Sequence, residues 1–287
     1  MINWHKDIVE DIARRKSVIF IGAGVSKNST NSSGLRPKDW KEFLTFAADQ
    51  TSKKRLIDNL IRNADYLTAC EIIRQDLGRD AFNSLVRAEF QTPGFKPTEI
   101  HKHIFNLDSR IIATPNFDKI YDVYAENATN GNINVKTYYE DDIADVIRRP
   151  EPVILKIHGT ITTPDKLIFS RKDYSKARTD SRNFYQVLDA LSITHTFIFI
   201  GCGPHDPDIR LLLEDYNYRF RFNKKHFIIS PKNATKKDVL DIMEDTMSLK
   251  TLEYDSRNNH IELTQSLEDL VSRVDARRLE LADTMKW

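Results

Sequence analysis

Ser17-Val18-Ile19-Phe20-Ile21-Gly22-Ala23-Gly24-Val25-Ser26 opens with a serine, runs through four large apolar residues and stops at a glycine. A short apolar run without alternation, rich in β-branched residues and ended by glycine, predicts a strand covered on both faces that runs into a turn. Outward from this stretch the pattern repeats. Ile8, Ile12 and Ala13 recur at helical spacing before it. Further strand runs lie at Arg110–Thr114, Asn134–Tyr138, Pro152–Ile157, Thr196–Ile200, His226–Ser230 and Leu249–Tyr254. Helical patterns fall between them at Lys38–Ala48, Phe117–Asn127, Asp141–Ile147, Arg182–Ile193, Pro207–Phe220, Lys236–Glu244 and Ser266–Leu281. Strands alternating with helices predict an α/β fold with a doubly wound, mostly parallel sheet. From Ser52 to about Glu89 the alternation stops. Leu56, Leu60, Ile61, Leu67, Ile72, Ile73, Leu77, Phe82, Leu85 and Val86 predict two or three consecutive helices, an insert continuing through Pro97–Leu107.

Composition narrows the classes of function. With 43 Lys+Arg against 42 Asp+Glu, the chain of 287 residues has a formal net charge of +1. Nucleic acid is therefore not the expected partner. A chain of this length buries a full core without disulfides or metals. Two cysteines, Cys70 and Cys202, make neither a four-cysteine zinc site nor a disulfide framework, and fit a reducing compartment. The N-terminal residues are polar, and the longest apolar runs, Val18–Ile21 and Phe197–Ile200, are far short of the ~18–20 residues that span a bilayer. The expectation is a cytoplasmic protein without membrane contact.

Four segments after strand runs carry candidate chemistry. Gly22-Ala23-Gly24-Val25-Ser26 suits backbone approach to a pyrophosphate, or is a plain strand-to-helix turn; the third glycine of G-x-G-x-x-G is missing. Thr114-Pro115-Asn116-Phe117-Asp118 places an amide and a carboxylate where ligands of open α/β sheets bind, or caps the next helix. Lys156-Ile157-His158-Gly159-Thr160 offers a histidine at a strand end, as a general base or as a structural side chain. Phe199-Ile200-Gly201-Cys202-Gly203-Pro204-His205-Asp206-Pro207-Asp208 again follows a strand, with Asp206 and Pro207 as the cap and first position of a helix. Cys202 reads as a small buried residue. His101 and His103 read as helix surface, and no convincing metal site is formed. Asn28–Gly34 is a polar loop of the kind that covers a ligand.

The order of these motifs resembles the sirtuin (Sir2) superfamily, closest to the SIR2-like branch of bacterial anti-phage defence. Gly34-Leu35-Arg36-Pro37-Lys38-Asp39-Trp40 is similar to that branch's G-x-P-x-W segment, with one inserted residue. Leu167-Ile168-Phe169-Ser170-Arg171-Lys172-Asp173-Tyr174 resembles its strand-then-tyrosine segment. Gly201 to Ile209 resembles its G-x-S/G-x-x-D-x-x-I segment. The likeness runs from about Ser17 to Leu270. It implies a sirtuin-type Rossmann-like sheet as a single domain over 1–287, with the helical insert at 52–107 as a small subdomain. It also implies site roles. Gly22, Ala23, Gly24 and Ser26 would hold the NAD pyrophosphate, and Asn116 and Asp118 the nicotinamide ribose and its pocket. His158 would be the catalytic base, and Gly201, Gly203 and Ser230 would line the adenosine side. Zinc-binding deacylases of the superfamily carry four cysteines, which two cysteines cannot supply, and their Asp-Phe-Arg is replaced by Leu35-Arg36-Pro37. The resemblance thus implies an NADase that hydrolyses NAD+ to nicotinamide and ADP-ribose without a metal. Its activity would fall on acidification through the histidine range, near ~6.5. It further implies a homo-oligomer controlled by assembly or by a partner such as a HerA-type ATPase. The competing readings are an NAD-dependent deacylase and a non-catalytic NAD or ADP-ribose sensor.

Overall fold

In the computed structural model, which describes residues 1–203, 206–220 and 224–285, helix α1 (Lys6–Ala13) leads into strand β1 (Ser17–Ile21), buried at all five positions. A one-turn helix α2 (Ala23–Ser26) follows. Then come α3 (Trp40–Ala48), α4 (Lys54–Arg62), α5 (Tyr66–Leu77), α6 (Arg79–Phe90) and α7 (Glu99–Asn106). The alternating part resumes with β2 (Ile111–Thr114), α8 (Ile120–Ala128), β3 (Asn134–Thr137), α9 (Ile143–Arg148) and β4 (Val153–Lys156). It continues with α10 (Arg171–Asp180), α11 (Arg182–Thr194), β5 (Thr196–Ile200), α12 (Pro207–Arg219), β6 (His226–Pro231), α13 (Lys237–Met247), β7 (Leu249–Tyr254) and α14 (Arg257–Thr284).

The seven strands form one sheet in the order β3-β4-β2-β1-β5-β6-β7, and every pairing is parallel. Ile19 of β1 pairs with Ile112 on one side and Ile198 on the other. Successive side chains alternate between faces. Ile19, Ile21, Ile112, Ile154, Ile198 and Ile200 therefore enter one core, with α1, α7 and α14. Val18, Phe20, Ile111, Leu155, Phe197 and Phe199 enter the other, with α9, α11, α12 and α13. Burial on both faces explains the unbroken apolar runs. At roughly 1.5–3 kcal/mol per fully buried large apolar side chain, these two layers hold the strand ends in place.

Helices α3 to α6 share a third apolar cluster, built on Phe43, Ile57, Ile73, Phe82 and Val86. Trp40 stacks on Phe169 at 5.0 Å, and Phe117 meets the same ring at 4.4 Å. The helical segment read at 52–107 thus shares its core with α3, whereas α7 packs on the sheet through Ile100, Ile104 and Leu107. Two local expectations are corrected. Leu167–Ser170 adds no strand to the sheet. It is extended chain whose three apolar side chains are buried, followed by α10 capped by Ser170. The helix expected from Phe117 begins at Ile120, because Asp118 Oδ1 accepts from the Ile120 N–H and holds Asn116–Lys119 as a loop. No helix among the described residues is long and apolar enough to cross a membrane.

Candidate active site

The chain lays β2, β3 and β4 on one side of β1 and β5, β6 and β7 on the other. The crevice at the carboxyl ends of β1 and β5 is thus the switch point at which open α/β sheets take ligands. Two glycine segments meet there, backbone to backbone. The Gly22 N–H donates to Ile200 O at 2.9 Å, and the Gly24 N–H to Gly201 O at 2.9 Å. A Cβ on Gly22 would lie 2.3 Å from the Gly201 oxygen. Gly201 has φ +65°, and its own Cβ would lie 2.6 Å from the Val25 nitrogen. Glycine at these positions lets the two loops touch, and the Gly24 N–H is already taken by protein.

Beside this junction β2 delivers Asn116 and Asp118. Thr114 donates its hydroxyl to Ile21 O at 2.6 Å and accepts from the Asn116 N–H at 3.1 Å, which turns the chain at once after the strand. Asn116 Nδ2 then donates to Ser26 Oγ at 3.0 Å, and Ser26 Oγ donates to Asp118 Oδ2 at 2.9 Å. The glycine turn and the β2 loop are thereby locked through side chains 90 and 92 residues apart. The Ser26 proton is committed to Asp118, while Asn116 keeps its Oδ1 as an acceptor for a hydroxyl or a water. Beneath the loop, Lys156 donates to Asp118 O at 2.6 Å and lies 3.1 Å from Asp122, both side chains being 1% exposed. Burial raises the Asp122 pKa, against the pull of the Lys156 charge.

His158 stands two residues past β4. The two loops are joined by Ile157 N–H to Thr114 O and Ile161 N–H to Phe117 O, each at 2.9 Å. Gly159 at φ +84° makes the turn; a Cβ there would lie 2.9 Å from Lys166 O. The Ile168 N–H donates to His158 O at 3.1 Å, so the Leu167–Ser170 segment fixes the histidine backbone. The imidazole is buried. Its Nε2 lies 3.3 Å from Asp206 Oδ2 but makes no hydrogen bond among the described residues. Tyr174 presents its ring to the imidazole edge-on at 5.2 Å and donates its hydroxyl to the same Asp206 oxygen at 3.0 Å. Burial, then the Asp206 and Asp208 charges, pushes the Tyr174 pKa well above its ordinary value, so it stays a donor.

The structure therefore gathers Gly22, Ala23, Gly24, Ser26, Asn116, Asp118, His158 and Gly201 along one edge. Gly203 is exposed on the loop after β5, and Ser230, next to last in β6, pairs with Glu253, sharing the edge but not the hydrogen-bond network. Pro204 and His205 lie outside the described residues. Asp206 caps α12 as expected, accepting from the Asp208 and Ile209 N–H groups. Its contacts with His158 and Tyr174 have no sequence signal, because the partners are 48 and 32 residues away. Cys202 is partly buried and its thiol pKa is pushed up by burial, which makes it unreactive. His101 corrects the surface reading: it is fully buried, and burial lowers its pKa to about 4, opposed by the Asp118 charge. Its Nδ1 closes a capping box on Thr98, a role for which acidic or amide residues are the usual signal. Behind the His158 side a cavity of about 460 Å³ opens between α11 and α12, lined by Phe20, Ile157, Tyr185, Asp208, Ile209 and Leu212. None of Asn116, Asp118 and His158 lines it, so the strand-end loops remain the better candidate for the chemistry.

The sheet is parallel and doubly wound, with an Asn-x-Asp loop and a His-Gly turn on its carboxyl edge. Residues 110–252 match the SIR2-like domain family. The chain is 24% identical over 238 residues to the NAD(+) hydrolase ThsA of Bacillus cereus (strain MSX-D12), covering 82% of this chain and 47% of that protein. It is 23% identical over 261 residues to the NAD(+) hydrolase ThsA of Enterococcus faecium, covering 90% and 52%. Against defense-associated sirtuin 2 of Bacillus subtilis it is 24% identical over 246 residues, covering 84% and 23%. The chain spans about half the length, or less, of these relatives.

Proposed function

We propose that this chain hydrolyses NAD+ to nicotinamide and ADP-ribose. The observation that carries the reading is the locked Ser26–Asn116–Asp118 network beside the buried His158, in a chain similar to proteins named NAD(+) hydrolases. The glycosidic C–N bond breaks and its electron pair goes to the nicotinamide nitrogen, which leaves neutral. Asn116 Oδ1 holds a ribose hydroxyl or the attacking water against C1′. Neutral His158 takes the proton as the water oxygen bonds to C1′. Asp118, held by Ser26 and the Ile120 N–H, shapes the nicotinamide pocket, with its charge near the developing oxocarbenium. With the Gly24 N–H engaged, Gly22, Ala23 and Gly24 serve the pyrophosphate chiefly through the close approach they allow, and Gly201, Gly203 and Ser230 lie toward the adenosine.

The same reading extends to an intracellular defence role, supported by the likeness to a protein named a defense-associated sirtuin. Activation is through homo-oligomeric assembly or a partner such as a HerA-type ATPase, because an unregulated NADase poisons its own cell. The test is NAD+ consumption by the purified chain, followed by chromatography, for wild type, Asn116→Ala and His158→Ala, with and without an acetyl-lysine peptide. Peptide-independent loss of NAD+, abolished by both substitutions, is the expected result. Turnover only with peptide would make the protein a deacylase. Binding without turnover, under assembling conditions and with neighbouring gene products added, would make it a sensor.

A further inference from the structure

Asp206 has two oxygens with separate tasks. Oδ1 accepts from the Asp208 and Ile209 N–H groups, both at 3.0 Å, and caps α12. Oδ2 accepts from the Tyr174 hydroxyl at 3.0 Å and faces His158 Nε2 at 3.3 Å. The cap fixes the carboxylate plane, so the direction of Oδ2 is set by the helix. A buried ring nitrogen without a hydrogen bond calls for a reason. Hydrogen bonds of a catalytic histidine are often long or poorly aligned without substrate and tighten in the complex.

We propose that Asp206 is a positioning residue for His158, steadied by Tyr174: it holds the imidazole with its proton on Nε2 and its lone pair on Nδ1, the nitrogen that acts as base. Among the described residues Nδ1 makes no hydrogen bond, which leaves it for substrate. When Nδ1 takes a proton from water, the imidazolium keeps its Nε2–H directed at the Asp206 carboxyl group. No proton passes to Asp206. This inference rests on the NAD+ hydrolase reading for its kinetic consequence, though not for its geometry.

The cap makes one substitution unusually informative. In Asp206→Asn the amide oxygen must occupy the Oδ1 position, because two backbone N–H groups need an acceptor there. The NH2 group is then forced into the Oδ2 position, pointing donors at His158 Nε2. Asparagine caps helices as well as aspartate does, so α12 is retained. The imidazole answers by moving its proton to Nδ1, the wrong tautomer for a base on that side. Tyr174→Phe keeps the ring-edge contact and removes only the hydroxyl.

The experiment combines 15N chemical shifts of the His158 imidazole with steady-state NAD+ hydrolysis for wild type, Asp206→Asn and Tyr174→Phe. The expected spectrum is a proton on Nε2 in wild type and on Nδ1 in Asp206→Asn. The expected kinetics are a fall in kcat of about 100-fold or more for Asp206→Asn, as for a wrong histidine tautomer elsewhere, with KM changed less than about 3-fold. Tyr174→Phe lowers kcat by about 3- to 10-fold, the loss expected for a single hydrogen bond removed from an indirect partner. An unchanged tautomer in Asp206→Asn overturns the positioning role, as does an unchanged kcat. Should wild type fail to cleave NAD+, the hydrolase reading fails by itself, while the nitrogen shifts still decide whether Asp206 sets the imidazole.

Discussion

Replacing Gly22 by alanine separates two reasons for a glycine after β1. If the position serves the approach of a ligand, an alanine leaves the free protein intact. If it serves contact between the β1 and β5 loops, the free protein loses stability. The added Cβ would lie 2.3 Å from Gly201 O and 2.7 Å from Cys202 Cα, both backbone atoms. Ordinary contact needs at least 3.4 Å, so the β5 loop has to retreat by about 1 Å. Overpacking of this kind costs about 1–3 kcal/mol. The retreat also strains the Gly24 N–H to Gly201 O bond, and a buried group left unpaired costs about 1–3 kcal/mol more. The expected loss for Gly22→Ala is therefore about 2–6 kcal/mol, a large part of the 5–15 kcal/mol typical of a folded domain. Gly34→Ala is the matched control. Gly34 has φ +76° with nothing within 4 Å of its Cβ position, so alanine there meets only the left-handed penalty of about 1–2 kcal/mol. Urea unfolding without ligand measures both. A Gly22→Ala loss below about 0.5 kcal/mol, or below that of Gly34→Ala, would refute the packing argument and return the position to the ligand.

Two further outcomes follow from buried charge. Lys156→Met leaves Asp122 without its cation and Asp118 O without its donor, at a cost of about 3–5 kcal/mol. Lys156→Met combined with Asp122→Leu should recover most of that loss in a double-mutant cycle, and an additive cycle would show that the pair is not coupled. The pH dependence of stability has a definite sign. His101 and His226 are buried, and burial lowers both to about 4. Their contribution is complete above the unfolded histidine value near ~6.5 and is lost as pH falls from there toward 4, because the unfolded chain takes the proton first. Each is worth at most about 3 kcal/mol, so the urea midpoint should drop between pH 7.5 and 5, and less steeply in His226→Gln. A midpoint constant over that range would mean that the two imidazoles are not buried neutral.

The placement of the candidate site residues at strand ends was legible in the sequence. Gly22-Ala23-Gly24, Asn116, Asp118, His158 and Gly201 each follow an apolar run, and a parallel sheet brings the ends of such runs to one edge. The partners were not legible. Asp206 looks like a helix cap, which it is, and nothing local says that its second oxygen faces His158. His101 looks like helix surface because it sits among polar residues, yet its side of α7 turns inward against the sheet. Leu167–Ser170 has the composition of a strand, but its backbone meets the His158 turn instead of a neighbouring strand.

The sequence alone determined the parallel, doubly wound class of sheet, the edge that carries the candidate site and the side chains that fall on that edge, because each depends on local periodicity and on glycine, which short windows record. Only the tertiary structure decided which of those side chains touch. The Ser26–Asn116–Asp118 lock, the Lys156 support beneath it and the hydrogen bonds and ion contact of Asp206 with Tyr174 and His158 join residues 32 to 92 positions apart. Their contacts exist because two packed faces hold the strand ends in register, and register is a property of the whole sheet.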